Sequence, residues 1–234
     1  PGDLQGAPKP ILLGVAQNII PPQVNTSKLV FQVTDKAGAM VQGVTVDAVY
    51  DRGAALTAGT QRGSLAALLS TTPASGEFDW YDGTEGAYFR LGANPAGQIT
   101  ADATEGDSGT DRTAASIAQR ILTQFGIPGT QITGVEALNG AQPGEVGLYS
   151  GAAEQTVGQA LDYVLAGIGA SWIDTRSGGF KLIRLELPAS QDSEAVLSFA
   201  NTLRGRGAPI ALLNRDEAGI RIPAYRLTLN YGRL

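Results

Sequence analysis

The chain has 234 residues, a net charge of −5, 43% hydrophobic and 17% charged residues, and neither histidine nor cysteine. A Ser-His-Asp triad, thiol catalysis, disulfides and ordinary zinc sites are therefore excluded. The basic residues form no cluster larger than the Arg204 and Arg206 pair, which argues against nucleic acid as a partner.

Thirty-one glycines and 12 prolines point to many turns and short strands. After a Pro/Gly-rich lead-in, Ile11 to Val15 reads as a strand, and Pro21-Pro22 breaks the chain. Leu29 to Val33 alternates as a strand, with Leu29, Phe31 and Val33 on one face. Gly43 to Tyr50 alternates again, with Val44, Val46 and Ala48 opposite Thr45, Asp47 and Val49. Asp51-Arg52-Gly53 is a turn, and Ala54 to Thr57 begins the next strand. Ser64 to Ser70 fits a helical turn or a strand equally. Phe78 to Tyr81, Tyr88 to Leu91 and Gln98 to Ala103 complete a run of short strands, the rhythm of a small barrel or sandwich.

Thr100 to Arg112 is polar and Gly-rich and marks a domain boundary. Thr113 to Phe125 reads as a helix with Ala114, Ile117, Ala118, Ile121, Leu122 and Phe125 on one face, stopped by Gly126 and Pro128. Gly134 to Pro143 reads as loop and Val146 to Tyr149 as a short strand. A second helix carries Val157, Leu161, Val164, Leu165 and Ile168 at helical spacing, with Glu154 near its start and Gly167 and Gly169 at its end. Ala170 to Asp174, a turn over Thr175 to Gly179, and Phe180 to Leu185 form a hairpin with Trp172 as its core anchor. Ala195 to Ala200 and Ile220 to Tyr231 read as further strands. The expected class is α+β: a β-rich barrel- or sandwich-like domain over 1–103, a domain of two helices and a β-hairpin over 104–190, and C-terminal strands over 191–234 returning to a sheet. No apolar run approaches the roughly 20 residues of a membrane-spanning helix. The start at Pro1 without methionine and the strand-like end lead us to expect a piece of a longer protein.

No catalytic constellation emerges. Asp102, Glu105, Asp107 and Asp111 put several oxygens within ten residues, which calcium could use, but the EF-hand order is missing. The stretch reads better as a solvated loop leading into a helix, where acids are favoured. Asp79, Trp80, Tyr81 and Asp82 place aromatics and acids together, as a sugar site or a two-carboxylate hydrolase using Asp79, Asp82 or Glu85 would. Strand neighbours point to opposite faces, so these carboxylates need not converge. Trp80, Tyr81 and Tyr88 remain as possible ligand-contact residues. Ser150 in GLYSG lacks the Gly-x-Ser-x-Gly spacing, and Gly140 to Gly147 lacks the lysine of a phosphate loop. No cofactor and no metal is expected.

The order of helix, loop, short strand, helix, strand, Gly turn and strand resembles the tail-tip or baseplate hub proteins of tailed bacteriophages and related particles. Gly126, Ala160-Leu161, Gly169-Ala170, Trp172 and Gly178-Gly179 carry the likeness. The opening PKPILLGVAQNIIPPQVNTSKLVFQV and the segment AYFRLGANPAGQITADATEG add Pro10, Gly14, Asn18, Pro21, Leu29, Gln32, Pro95, Gly97, Thr100 and Asp102. The resemblance implies a non-enzymatic structural component of the virion, placed at the tail tip, joined to other tail proteins and built as a homotrimer. A module binding a receptor or a host-surface glycan is the alternative.

Overall fold

The structure, a computed structural model, describes residues 8–36, 40–151, 154–176 and 178–184. The expected strands after Pro188 lie outside the described residues. Among the described residues, thirteen strands and four α-helices confirm the α+β class. In order these are β1 (Ile11–Ile19), β2 (Gln23–Asn25), β3 (Val30–Asp35), β4 (Val44–Asp51), β5 (Ala54–Ala55), β6 (Thr57–Gln61), α1 (Leu65–Ser70), β7 (Glu77–Gly83), β8 (Gly86–Leu91) and β9 (Ile99–Glu105). There follow α2 (Ala114–Gln124), β10 (Ile132–Thr133), α3 (Val135–Ala141), β11 (Gly147–Ser150), α4 (Val157–Ala166), β12 (Ala170–Asp174) and β13 (Phe180–Arg184).

Two five-stranded sheets face each other, ordered β11-β1-β9-β4-β5 and β2-β3-β8-β7-β6. Their inner faces share one core of Leu12, Val44, Val46, Val49, Ile99, Ala101 and Ala103 from the first sheet and Phe31, Val33, Phe78, Phe89 and Leu91 from the second. Phe31 and Phe89 stack at 5.2 Å, and Phe78 meets Phe89 edge-on at 6.3 Å. This is the sandwich form of the expected β-rich domain.

Strict alternation fails in β4. The register against β9 shifts between Val46 and Ala48, so Val49 is buried beside Val44 and Val46 rather than facing away. A bulge inserts one residue and flips everything after it. Leu29 also leaves its expected strand: it takes φ 55° just before β3. The turn at Asp51 is as expected, with Arg52 and Gly53 both left-handed (φ 53° and 81°) between the paired ends of β4 and β5.

Ser64 to Ser70 is resolved in favour of a helix. The Ser64 hydroxyl accepts from the Ala67 N–H, and Leu68 is fully buried against Val30 and Tyr81. At the far end of α1, Arg90 donates to the carbonyls of Leu68, Leu69 and Thr71 at 3.1, 2.8 and 3.0 Å and to the Thr72 hydroxyl at 2.6 Å. A buried cation thus takes up the last carbonyls of a helix that is too short to hold them itself.

A second core joins the helices and the three-stranded sheet β10-β13-β12. Thr113 caps α2, which buries Ala114, Ile117, Ala118, Ile121 and Leu122. Phe125 departs from the expected face: it sits past the helix end and is 63% exposed. Residues 134–143, expected as loop, hold the short helix α3, whose Leu138 is buried. The start of α4 is fixed by a capping box of Thr156 and Gln159, not by Glu154. Leu161, Val164 and Leu165 are its buried stripe. The hairpin of β12 and β13 forms as expected, and the Trp172 indole donates to Asp162 at 2.8 Å.

Glu105 ties the sandwich to the helices. Its fully buried carboxylate accepts from the N–H groups of Gly14 and Gln42 at 2.8 and 2.7 Å and from Arg120 of α2 at 2.6 and 3.0 Å. Arg120 also donates to the carbonyls of Met40 and Asp111, both at 2.9 Å.

Candidate functional site

Asp79 is 2% exposed and accepts from the Thr60 N–H and the Arg62 guanidinium. Asp82, on the opposite face of β7, accepts from Lys36 and from the Val44 N–H at 2.9 and 3.1 Å. Glu85 takes the Tyr81 hydroxyl at 2.7 Å, and that bond holds its carboxyl below the usual range and raises the phenol. These three acids serve three separate structural contacts.

The expected ligand-contact rings divide between the two faces of the second sheet. Tyr81 and Tyr88 are cross-strand partners on the outer face beside α1. Tyr81 is buried, and Tyr88 is half-buried with its hydroxyl 3.2 Å from the Gln32 amide nitrogen. Trp80 pairs with Phe89 and packs on the inner core.

Three of the four acids of the 102–111 stretch are likewise spent within the fold, and Asp107 is exposed. Asp102 accepts from the Tyr50 hydroxyl and the Asn18 N–H, both at 2.8 Å. Glu105 is the buried clamp described above, and Asp111 accepts from the Ser108 N–H at 2.9 Å. Among the described residues no group of three or more acids is arranged to hold a metal ion. No described helix is long and apolar enough to cross a membrane.

A surface feature of another kind arises from β1. Two left-handed residues, Gly14 (φ 71°) and Asn18 (φ 53°), curl this strand. Gly14 is required, because a Cβ there would collide with the Val146 carbonyl. Its first half, Ile11 to Gly14, pairs with β11, and its second half, Val15 to Ile19, pairs with β9. The curl brings the Ile20 carbonyl to the Tyr149 hydroxyl at 3.3 Å. An open cleft of about 680 Å³ lies along the curl, walled by Tyr149, Gly147 and Tyr163 of α4 and rimmed by Ile20. Tyr163 is 65% and Ile20 57% exposed, and no lining residue carries a charge. Burial pushes the Tyr149 phenol up to about 12.

Sequence reasoning passed over this cleft, although two signals were present. Ile19 and Ile20 are adjacent in an alternating strand, so one of them must face outward. Tyr163 falls off the apolar stripe of α4. No protein-family model, no curated protein and no solved structure matches the chain.

Proposed function

We propose that the chain is a structural component of a phage tail tip or baseplate hub, linking tail tube to tip through contacts between subunits in a homotrimer. One observation carries the reading. Three of the residues that carry the resemblance, Gly14, Asn18 and Asp102, shape the curled strand. Gly14 and Asn18 make the curl, and Asp102 holds the Asn18 N–H at 2.8 Å. The Asp51 carboxylate accepts from the N–H groups of Ala96 and Gly97 at 2.7 and 2.9 Å, which fixes the turn before β9. The product is an uncharged, partly aromatic recess, the composition of a surface made for contact rather than chemistry.

The test is to locate the protein in particles by gold-labelled antibody and to image particles from a host in which its gene is disrupted. Label at the tail tip, together with tails that lack a finished tip, is the expected result. Label elsewhere, or complete tips without the protein, would overturn the reading.

A further inference from the structure

The hairpin sheet β10-β13-β12 ends on one side in β12, and among the described residues no strand pairs with the outer side of β12. Edge strands are normally blunted, because their free backbone groups pair with any extended chain. In the sandwich, the edge strands β2 and β6 carry register shifts, and the Thr60 N–H of β6 is taken by Asp79 at 2.7 Å. Strand β12 is regular. Its five residues, ASWID, pair with β13 without a shift, from Ala170 opposite Arg184 to Asp174 opposite Phe180. The hairpin turn fixes the phase of this ladder, because the Thr175 N–H donates to the Gly179 carbonyl at 2.8 Å. Hydrogen-bonded pairs alternate from there, so Ser171 and Ile173 bond to β13. The N–H and C=O groups of Ala170, Trp172 and Asp174 therefore point to the open edge. Asp174 is the charged residue of the strand and is exposed, as is Arg184 at the end of β13. Neither has an ion-pair partner among the described residues.

We propose that two copies of this chain pair through β12, antiparallel and about a two-fold axis at Trp172, so that two hairpin sheets become one continuous sheet. Self-complementarity singles out a second copy as the occupant. Three residues face the edge, and one register pairs all of them: Trp172 with Trp172, and Ala170 with Asp174 of the second copy in both directions. A slip of two residues either way leaves one of the three without a partner. Charge selects the same register. Directly opposed residues share a face of a sheet, so the row across the joint reads Arg184, Ala170, then Asp174 and Phe180 of the second copy. Two inter-strand steps put the Arg184 and Asp174 Cα atoms about 10 Å apart, with only the Ala170 methyl between them. That is within the combined reach of the two side chains. Symmetry makes the contact twice, and it joins the two exposed charges that a single chain leaves unmatched. On the opposite face, Ile173, 43% exposed in the single chain, comes to lie beside Ser171 and Ile183 of the second copy. A five-residue edge is small beside the roughly 1,200 Å² of a stable pair, so free copies associate weakly. An isologous contact does not close a ring of three; in a threefold assembly it joins one ring to a second. The inference goes beyond the hub reading and does not rest on it.

Disulfide trapping of the full chain tests it. The protein has no cysteine, so Ser171→Cys and Ile173→Cys introduce the only thiols, both at exposed positions. In the proposed register, position 171 lies opposite position 173 of the second copy as a non-hydrogen-bonded pair. Their Cα atoms are then about 4.5 Å apart, within the span of a disulfide. An equal mixture of the two single variants, oxidised mildly at up to millimolar protein, is expected to give 171–173 dimers about tenfold over either like-with-like dimer, where random collision gives about twofold. Asp174→Arg or Arg184→Asp, added to both members of the mixture, lowers that yield about tenfold. The two changes together restore it, and circular dichroism stays unchanged throughout. A 171–173 ratio near that of random collision overturns the proposal. So does a swapped-charge chain that links as poorly as either single change, because the charge pair would then play no part in choosing a second copy. A 171–173 link in a protein located away from the tail tip leaves the contact standing and defeats the hub reading. A protein at the tip without that link does the reverse.

Discussion

Arg120 and Glu105 meet through both ends of the guanidinium, at 2.6 and 3.0 Å, across the boundary between helix α2 and the end of β9. Glu105 has no solvent exposure, and Arg120 keeps 14% of its side chain exposed. Removing one partner of a buried pair leaves the other charge desolvated, and that costs more than the pair itself contributes. Arg120→Met is expected to lower stability by about 3–5 kcal/mol. Urea unfolding followed by fluorescence measures this. A loss below about 1 kcal/mol would mean that water reaches the carboxylate and that the clamp is not a buried one.

Gly14 and Gly53 separate backbone strain from steric conflict. Both are left-handed, at φ 71° and 81°. A Cβ at Gly53 meets nothing within 4 Å, whereas one at Gly14 meets the Val146 carbonyl. Gly53→Ala should cost about 1–2 kcal/mol, the strain alone. Gly14→Ala must also displace Val146, whose carbonyl accepts from the Val15 N–H at 3.0 Å, so its melting temperature should fall much further. Equal losses in the two thermal melts would show that the β1 curl tolerates a side chain.

Arg90 supports α1 from beneath through three carbonyls and a hydroxyl. Arg90→Met keeps much of the apolar stem and removes the donors. A loss of about 2–3 kcal/mol is expected, the scale of hydrogen bonds to a charged group. Hydrogen exchange should report it locally, with faster exchange over residues 65–72 than over β4. Exchange that quickens evenly through the sandwich would instead assign Arg90 a general role in the core.

Tyr149 makes the fold sensitive to alkali. Its phenol titrates near 12 in the folded chain, against about 10 when unfolded. A raised pKa means that the fold holds the proton more tightly. The stabilisation is complete below pH about 10 and is lost as pH rises toward 12. Hydrogen bonds to Asp102 and Glu85 raise Tyr50 and Tyr81 in the same direction. Tyr149→Phe should flatten the decline in melting temperature across that window. An unchanged decline would place the sensitivity in Tyr50, Tyr81 and Tyr88, the last of which burial also raises.

Elements with an unbroken period were legible in the sequence. The β12-β13 hairpin, the turn at Arg52-Gly53 and the buried stripe of α2 follow from spacing and turn chemistry alone. Interruptions of a period were not. The bulge after Val46 reverses Val49, and nothing in TVDAV announces it. Helix α3 has only seven residues and contains Gly140, so tertiary burial of Leu138 decides it rather than propensity. The Thr156-Gln159 capping box was written in the chain and marks the start of α4 better than Glu154 does. Trp80 and Tyr81 show the limit for sites. Adjacency in sequence gave them one apparent purpose, and the pleat sent them to opposite faces. The cleft was least legible, because it depends on Gly14 and Asn18 bending a strand toward a helix more than 130 residues away in the chain.

The split pairing of β1 also bears on synthesis. Leu13 pairs with Leu148 and Ala16 with Ala103, so this strand, though early in the chain, acquires its last neighbour only when residue 150 is available. At translation rates of about 5–20 residues per second, the run ILLG waits on the order of ten seconds outside the ribosome without its β11 partner. During that interval β7 and β8 can already pair, but the sheet containing β1 cannot be completed. The segment is therefore the one that a nascent-chain chaperone would hold, and arrest of translation before residue 147 should leave it accessible to protease.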